Sequence, residues 1–166
     1  MKRSPVPSVS SSSDFFEISD EDLTRLAGDG YVVFSNPPFS VQAKIVQRLR
    51  ALGVPYYLVA HGLYWKTLVD LDAGDSVYYC GYIKYETPTD LRPTQRTVVI
   101  ANDGKGVYKK CSFVKTYTKP YRGKKGLVFS DSPDSLDIWD THLYAIRDYE
   151  LDLTQYRFEG TRLVRA

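Results

Sequence analysis

The chain has 166 residues, 43% of them apolar, which is ample for one domain of ordinary size and thin for two. Its 22 Lys+Arg against 20 Asp+Glu leave a formal charge of +2, which excludes gripping a nucleic acid by bulk charge, so any such contact has to be local. No apolar run approaches the roughly 18 to 20 residues of a membrane-spanning helix, and Met1–Ser13 lacks the apolar centre of a signal peptide, so an intracellular protein with no membrane partner is expected.

Residues 1–13 mix Ser and Pro without periodicity and bury too little to offset the entropy of ordering, which predicts a disordered tail ahead of a single domain over 14–166. Ser19 with Asp22 resembles a capping box opening a short helix, with Leu23, Leu26 and Ala27 as its apolar face and Gly28 and Gly30 at its stop. Tyr31-Val32-Val33-Phe34 is a continuous β-branched and aromatic run, the pattern of a strand covered on both faces, and Pro37-Pro38 ends it. From Ser40, Val41, Ile45, Leu49 and Leu52 recur at helical spacing up to Gly53, and Val54–Ala60 is a second buried-type strand. Residues 31–60 thus form a strand-helix-strand unit long enough for a parallel crossover, and the expected class is α/β with a mostly parallel sheet.

Further on, a short helix is expected around Tyr64–Leu71 and strands at Val77–Tyr82 and Thr97–Ala101. Asn102-Asp103-Gly104 is a good turn, which predicts a return hairpin through Val107–Val114, and Leu127–Phe129 reads as a short strand. Lys109 and Lys110, then Lys115, Lys119, Arg122, Lys124 and Lys125, alternate with Tyr108, Tyr117 and Tyr121. Such a segment either clamps a nucleic-acid backbone or is a solvated loop balancing the acids of residues 131–140. Cys80 and Cys111 stand 31 positions apart with no CxxC and no clustered histidine, so no metal site and no disulfide framework is expected, only two reduced thiols.

The chemistry concentrates in Ser35-Asn36-Pro37-Pro38-Phe39-Ser40, at the carboxyl end of a strand, where open α/β sheets place ligand-handling residues. An Asn amide oxygen and the carbonyl of the following Pro both accept hydrogen bonds from an exocyclic NH2, keeping its nitrogen lone pair free to attack a methyl sulfonium, while the aromatic stacks on the base. The prolines fix that geometry in advance. A base inside a duplex is out of reach, so the nucleotide has to flip, at a cost of roughly a few kcal/mol. The plain alternative is that Asn-Pro-Pro only turns the chain. His61 either lines the same pocket or merely starts a loop with Gly62. Tyr64 and Trp65 either wall it or pack in the core, and His142 reads as structural.

VVFSNPPFSVQAKIVQRLRALGVPYYLVAHG resembles the catalytic segment of adenine-specific DNA methyltransferases of the EcoRI type. CSFVKTYTKPYR and SLDIWDTHLYAIRDYELDLTQY resemble later segments of that family more weakly. The resemblance implies a Rossmann-like core using S-adenosylmethionine and acting on DNA in the cytoplasm of a bacterial or phage-infected cell. Asn36 and Pro37 would hold the adenine amine, Pro38 would stiffen the turn and Phe39 would stack, with Ser35, Ser40, His61 and the basic residues on the DNA side.

One departure accompanies the match. The family binds S-adenosylmethionine on a strand with a Gly-rich turn ahead of the catalytic segment, whereas Gly28-Asp29-Gly30 follows a helix. The reading is therefore a core truncated at its cofactor end, that half being missing, supplied by a second chain or replaced by something unrecognisable, with a partner chain or a degenerate remnant preferred to a complete stand-alone enzyme. The alternative is a non-catalytic nucleic-acid-binding or interaction protein derived from a methyltransferase, such as a viral or mobile-element accessory factor. The same motif also serves methylation of RNA bases and of glutamine side chains.

Overall fold

A computed structural model describes residues 14–62, 74–84, 94–114, 133–137, 150–159 and 162–166. The tail 1–13, the helix expected at Tyr64–Leu71, the strand at Leu127–Phe129, Trp65, His142 and the basic residues Lys115, Lys119, Arg122, Lys124 and Lys125 lie outside the described residues.

A 3₁₀ turn at Phe15–Glu17 precedes α1 (Asp20–Gly28). The Ser19 hydroxyl accepts the Asp22 N–H at 3.1 Å, the N-terminal half of the expected cap. The N–H groups of Gly30 and Tyr31 close the other end on Ala27 and Leu26, with Gly30 at φ 85°, so the Gly28–Gly30 segment is a helix stop. Strand β1 (Val33–Ser35) leads through Pro37-Pro38 into α2 (Phe39–Ala51). Helix α2 buries Gln42, Ile45, Val46 and Leu49, as the 3.6-residue spacing requires, and full burial of each aliphatic side chain is worth roughly 2 kcal/mol. Gly53, at φ 65°, turns the chain into β2 (Tyr56–His61).

The remaining strands are β3 (Asp75–Lys84), β4 (Thr94–Asn102), β5 (Val107–Lys110), β6 (Ser135–Asp137), β7 (Glu150–Asp152), β8 (Tyr156–Glu159) and β9 (Arg162–Arg165). They form a sheet in the order β1-β2-β4-β3-β5-β7 and a smaller antiparallel sheet in the order β6-β9-β8. Leu136 and Leu163 of the small sheet share one core cluster with Leu49, Leu58, Val98, Tyr108 and Leu151. Among the described residues no helix is long and apolar enough to cross a membrane.

The class is α/β, but the large sheet is mixed rather than mostly parallel. Only β1 with β2 and β3 with β5 run parallel, while β4 is antiparallel to both β2 and β3, and β7 to β5. The parallel expectation extrapolated from the one strand-helix-strand unit, β1-α2-β2.

Two further expectations are corrected. Val32 and Phe34 are 51% and 73% exposed, because β1 is an edge strand of only three residues. A run of large apolar residues does not report how many faces are covered. The turn at Asn102–Gly104 exists, but β5 does not return along β4; the chain crosses the start of β3 and pairs on its far side. Glycine permits that crossing: Gly106 N–H bonds the Gly74 carbonyl at 3.1 Å, and a Cβ on Gly106 would stand 2.6 Å from Thr154 Cγ2.

Candidate functional site

The parallel pair β1 and β2 ends at one edge of the large sheet, bringing Phe39 of the Asn36–Phe39 turn beside His61. Pro37 is buried and anchors the turn, whereas Asn36, Pro38 and Ser40 are exposed and Ser35 and Phe39 are half-buried. No described residue hydrogen-bonds the exposed Asn36 amide. Phe39 opens α2, and its ring meets the His61 imidazole edge-on, with centroids 6.0 Å apart.

Gln42, one turn into α2, has no exposed surface and donates from Nε2 to the Val59 carbonyl at 2.9 Å. This bond ties the first turn of α2 to the middle of β2 and so fixes Phe39 against His61. Gln42 is a positioning residue that the sequence reading missed; the only available signal was an amide on the apolar stripe of an amphipathic helix. His61 is drawn below its ordinary pKa, first by burial and then by the nearby charge of Arg96, so its ring is neutral at pH 7. Arg96 donates to the Tyr82 hydroxyl at 2.7 Å and stacks over that ring at 5.3 Å. Its carbonyl receives the Gly62 N–H at 2.7 Å, and a Cβ on Gly62 would lie 2.8 Å from Arg96 Cγ, so Gly62 is required by this packing.

Lys109 pairs with Glu150 at 2.8 Å. Lys110 is 8% exposed, on the same face of β5 as the buried Tyr108. Arg48 fastens the amino-terminal turn: it donates to Asp20 at 2.8 Å and to the Phe15 carbonyl at 3.0 Å. The chain leaves β5 at the edge where β1 and β2 end, and residues 115–125 follow Val114 in sequence.

The glycine geometry bears on the implied cofactor. Gly30 and Gly53, both at positive φ, follow helices at the amino ends of β1 and β2, and Gly74, Gly104 and Gly106 cluster at that same opposite edge. Among the described residues, none of the glycines at positive φ forms a turn beside Asn36 that would cradle S-adenosylmethionine, so these residues do not fit that cofactor. No described group of His, Cys, Asp or Glu has the arrangement to hold a metal ion.

No family model matches the chain, and neither a curated protein nor a solved structure is similar to it.

Proposed function

We propose that the Asn36–Phe39 turn is the amine-holding half of an adenine-specific (N6) DNA methyltransferase, whose methyl donor, S-adenosylmethionine, is bound by a second chain. The observation that carries this reading is the exposed Asn36 amide, held by the buried Pro37 at the carboxyl end of a parallel strand with the half-buried Phe39 ring three residues on. In this reading Asn36 Oδ1 and the Pro37 carbonyl accept the two N–H bonds of the adenine amine, and Phe39 stacks on the flipped base. The neutral His61 stiffens Phe39 without repelling an incoming amine. The outer edge of β1 pairs with no described strand and offers a row of backbone groups to the cofactor-binding chain.

The second reading, a nucleic-acid-binding protein that performs no transfer, is favoured by the glycine turns standing at the wrong edge for the cofactor. Both readings predict DNA binding and differ in base preference. Anisotropy titration of short single strands of deoxyadenylate and thymidylate separates them. The methyltransferase reading expects tighter binding of the adenine strand and loss of that preference, about tenfold, in Asn36→Ala. Equal binding of the two strands, unchanged by Asn36→Ala, removes the amine-holding role.

A further inference from the structure

Cys80 and Cys111, distant in sequence, are lateral neighbours in the sheet. The parallel register between β3 and β5 runs Val77 to Tyr108, Tyr78 to Lys109 and Tyr79 to Lys110, and one further step sets Cys80 beside Cys111. The Cys111 N–H bonds the Tyr79 carbonyl at 2.9 Å, so the register holds to that step. The two sulfurs are 3.7 Å apart. Laterally paired residues of adjacent strands have Cα atoms roughly 5 Å apart, inside the span of about 4.4 to 6.8 Å that a disulfide tolerates. A bulge aids the approach: the pairing of β3 with β4 shifts between Tyr79 and Gly81, so Cys80 is the extra residue, and Gly81 at φ 77° carries the bend.

We propose that Cys80 and Cys111 form a redox-active dithiol that a low-molecular-weight disulfide oxidises to an intramolecular disulfide joining β3 to the end of β5. Their environments assign the roles. Cys111 is half-buried and Cys80 is 9% exposed, so an oxidant in solution meets Cys111 first. The bond from Cys80 draws the Cys111 thiol down to about 7 against the opposing effect of burial, while that same bond and then burial hold Cys80 well above the ordinary thiol range.

The Cys111 thiolate attacks one sulfur of the oxidant RSSR, forming a Cys111–SR mixed disulfide and expelling RS⁻. Cys80, giving up its proton, then attacks Cys111 Sγ, forming the Cys80–Cys111 bond and expelling the second RS⁻. In balance, the two protein thiols and RSSR become one protein disulfide and two RSH; the cysteines are oxidised and the small disulfide is reduced. The cross-link fixes the end of β5 to β3, where the chain proceeds to Val114 and then to the basic segment of the sequence.

The test uses the full chain and oxidised glutathione as the probe. After treatment and removal of excess reagent, the intact mass is expected to fall by two hydrogen atoms, and neither cysteine labels with maleimide in denaturant until a reductant is added. Cys80→Ser is expected to trap a glutathione adduct on Cys111, and Cys111→Ser to leave Cys80 a free thiol. Two labelled cysteines in the treated wild-type chain, a persistent glutathione adduct on it, or a cross-linked dimer overturns the proposal. The wild-type mass decides the matter even where a serine variant does not fold.

Discussion

The edge of the large sheet where β3 and β5 begin turns its polarity inward, and the edge where β1 and β2 end turns it outward. At the first, the Asp75 carboxylate is paired with Arg50, with side-chain exposures of 3% and 18%. Asp103, its side chain 5% exposed, accepts the Ser76 hydroxyl at 2.6 Å, the Tyr78 hydroxyl, and the Lys105 N–H at 3.1 Å. At the second edge, Asn36 is exposed with no bond to its amide from any described residue, and Phe34 is 73% exposed. Buried charge demands partners and returns rigidity, whereas an outward amide beside an aromatic adds little to stability and stays available to a ligand.

The contrast breaks most severely at Asp75. Asp75→Ala removes a buried carboxylate and its ion pair with the half-buried Arg50 and is expected to cost about 3 kcal/mol, read from the urea midpoint at unchanged m-value. Asp103→Ala strands the hydroxyls of Ser76 and Tyr78 and is expected to cost about 2 kcal/mol. The same residue gives the acid limb of the stability profile. Burial pushes the Asp103 carboxyl up, but bonds from Ser76, Tyr78 and Lys105 outweigh it and set it below 3.8. Its contribution is therefore complete above 3.8 and disappears as pH falls through the lowered value, and Asp103→Asn flattens that limb.

At the other edge the expected effects are smaller. Because His61 titrates below 6.5 when folded, its own contribution to stability is constant above 6.5 and declines as pH falls from there through the lowered value. His61→Asn removes that decline, which melting temperatures across the same pH range would detect. Smallest of all, Asn36→Ala and Phe34→Ser should each shift stability by less than about 0.5 kcal/mol, and only Asn36→Ala should abolish preference for the adenine strand. A cost above about 2 kcal/mol for Asn36→Ala would make the turn a structural element and dissolve the contrast.

What could be read from sequence follows the range of the forces involved. Ser19 as a cap, the Ile45 and Leu49 stripe of α2 and the turn at Asn102–Gly104 are local, decided by neighbours within a few positions, and they stand in the fold within a residue or two. The insertion of β4 between β2 and β3 depends on pairings tens of residues apart, which a period does not encode. Lys110 was read by its charge and Val32 by its apolarity, yet the course of the strands decided that the first is buried and the second exposed. Gln42 and the cysteine pair share this cause: each is ordinary in sequence and acquires a role only from what a distant strand lays against it. The candidate turn itself was legible as a motif, while its neighbours Arg96 and Tyr82 needed the register of β3 with β4.

The crossing of the β4–β5 connection over Gly74 also carries an expectation about the order of assembly. Loop closure favours hairpin β3–β4, whose strands are near in sequence, so the expected order is β3–β4 first, then β5 along the outer side of β3, then β7 on β5. Cys80 loses access to reagents when Cys111 is laid beside it, so the moment at which Cys80 stops reacting during refolding marks the docking of β5. The thiol pair is in that sense a clock for the last half of assembly, readable by quenched labelling without any probe being added to the chain.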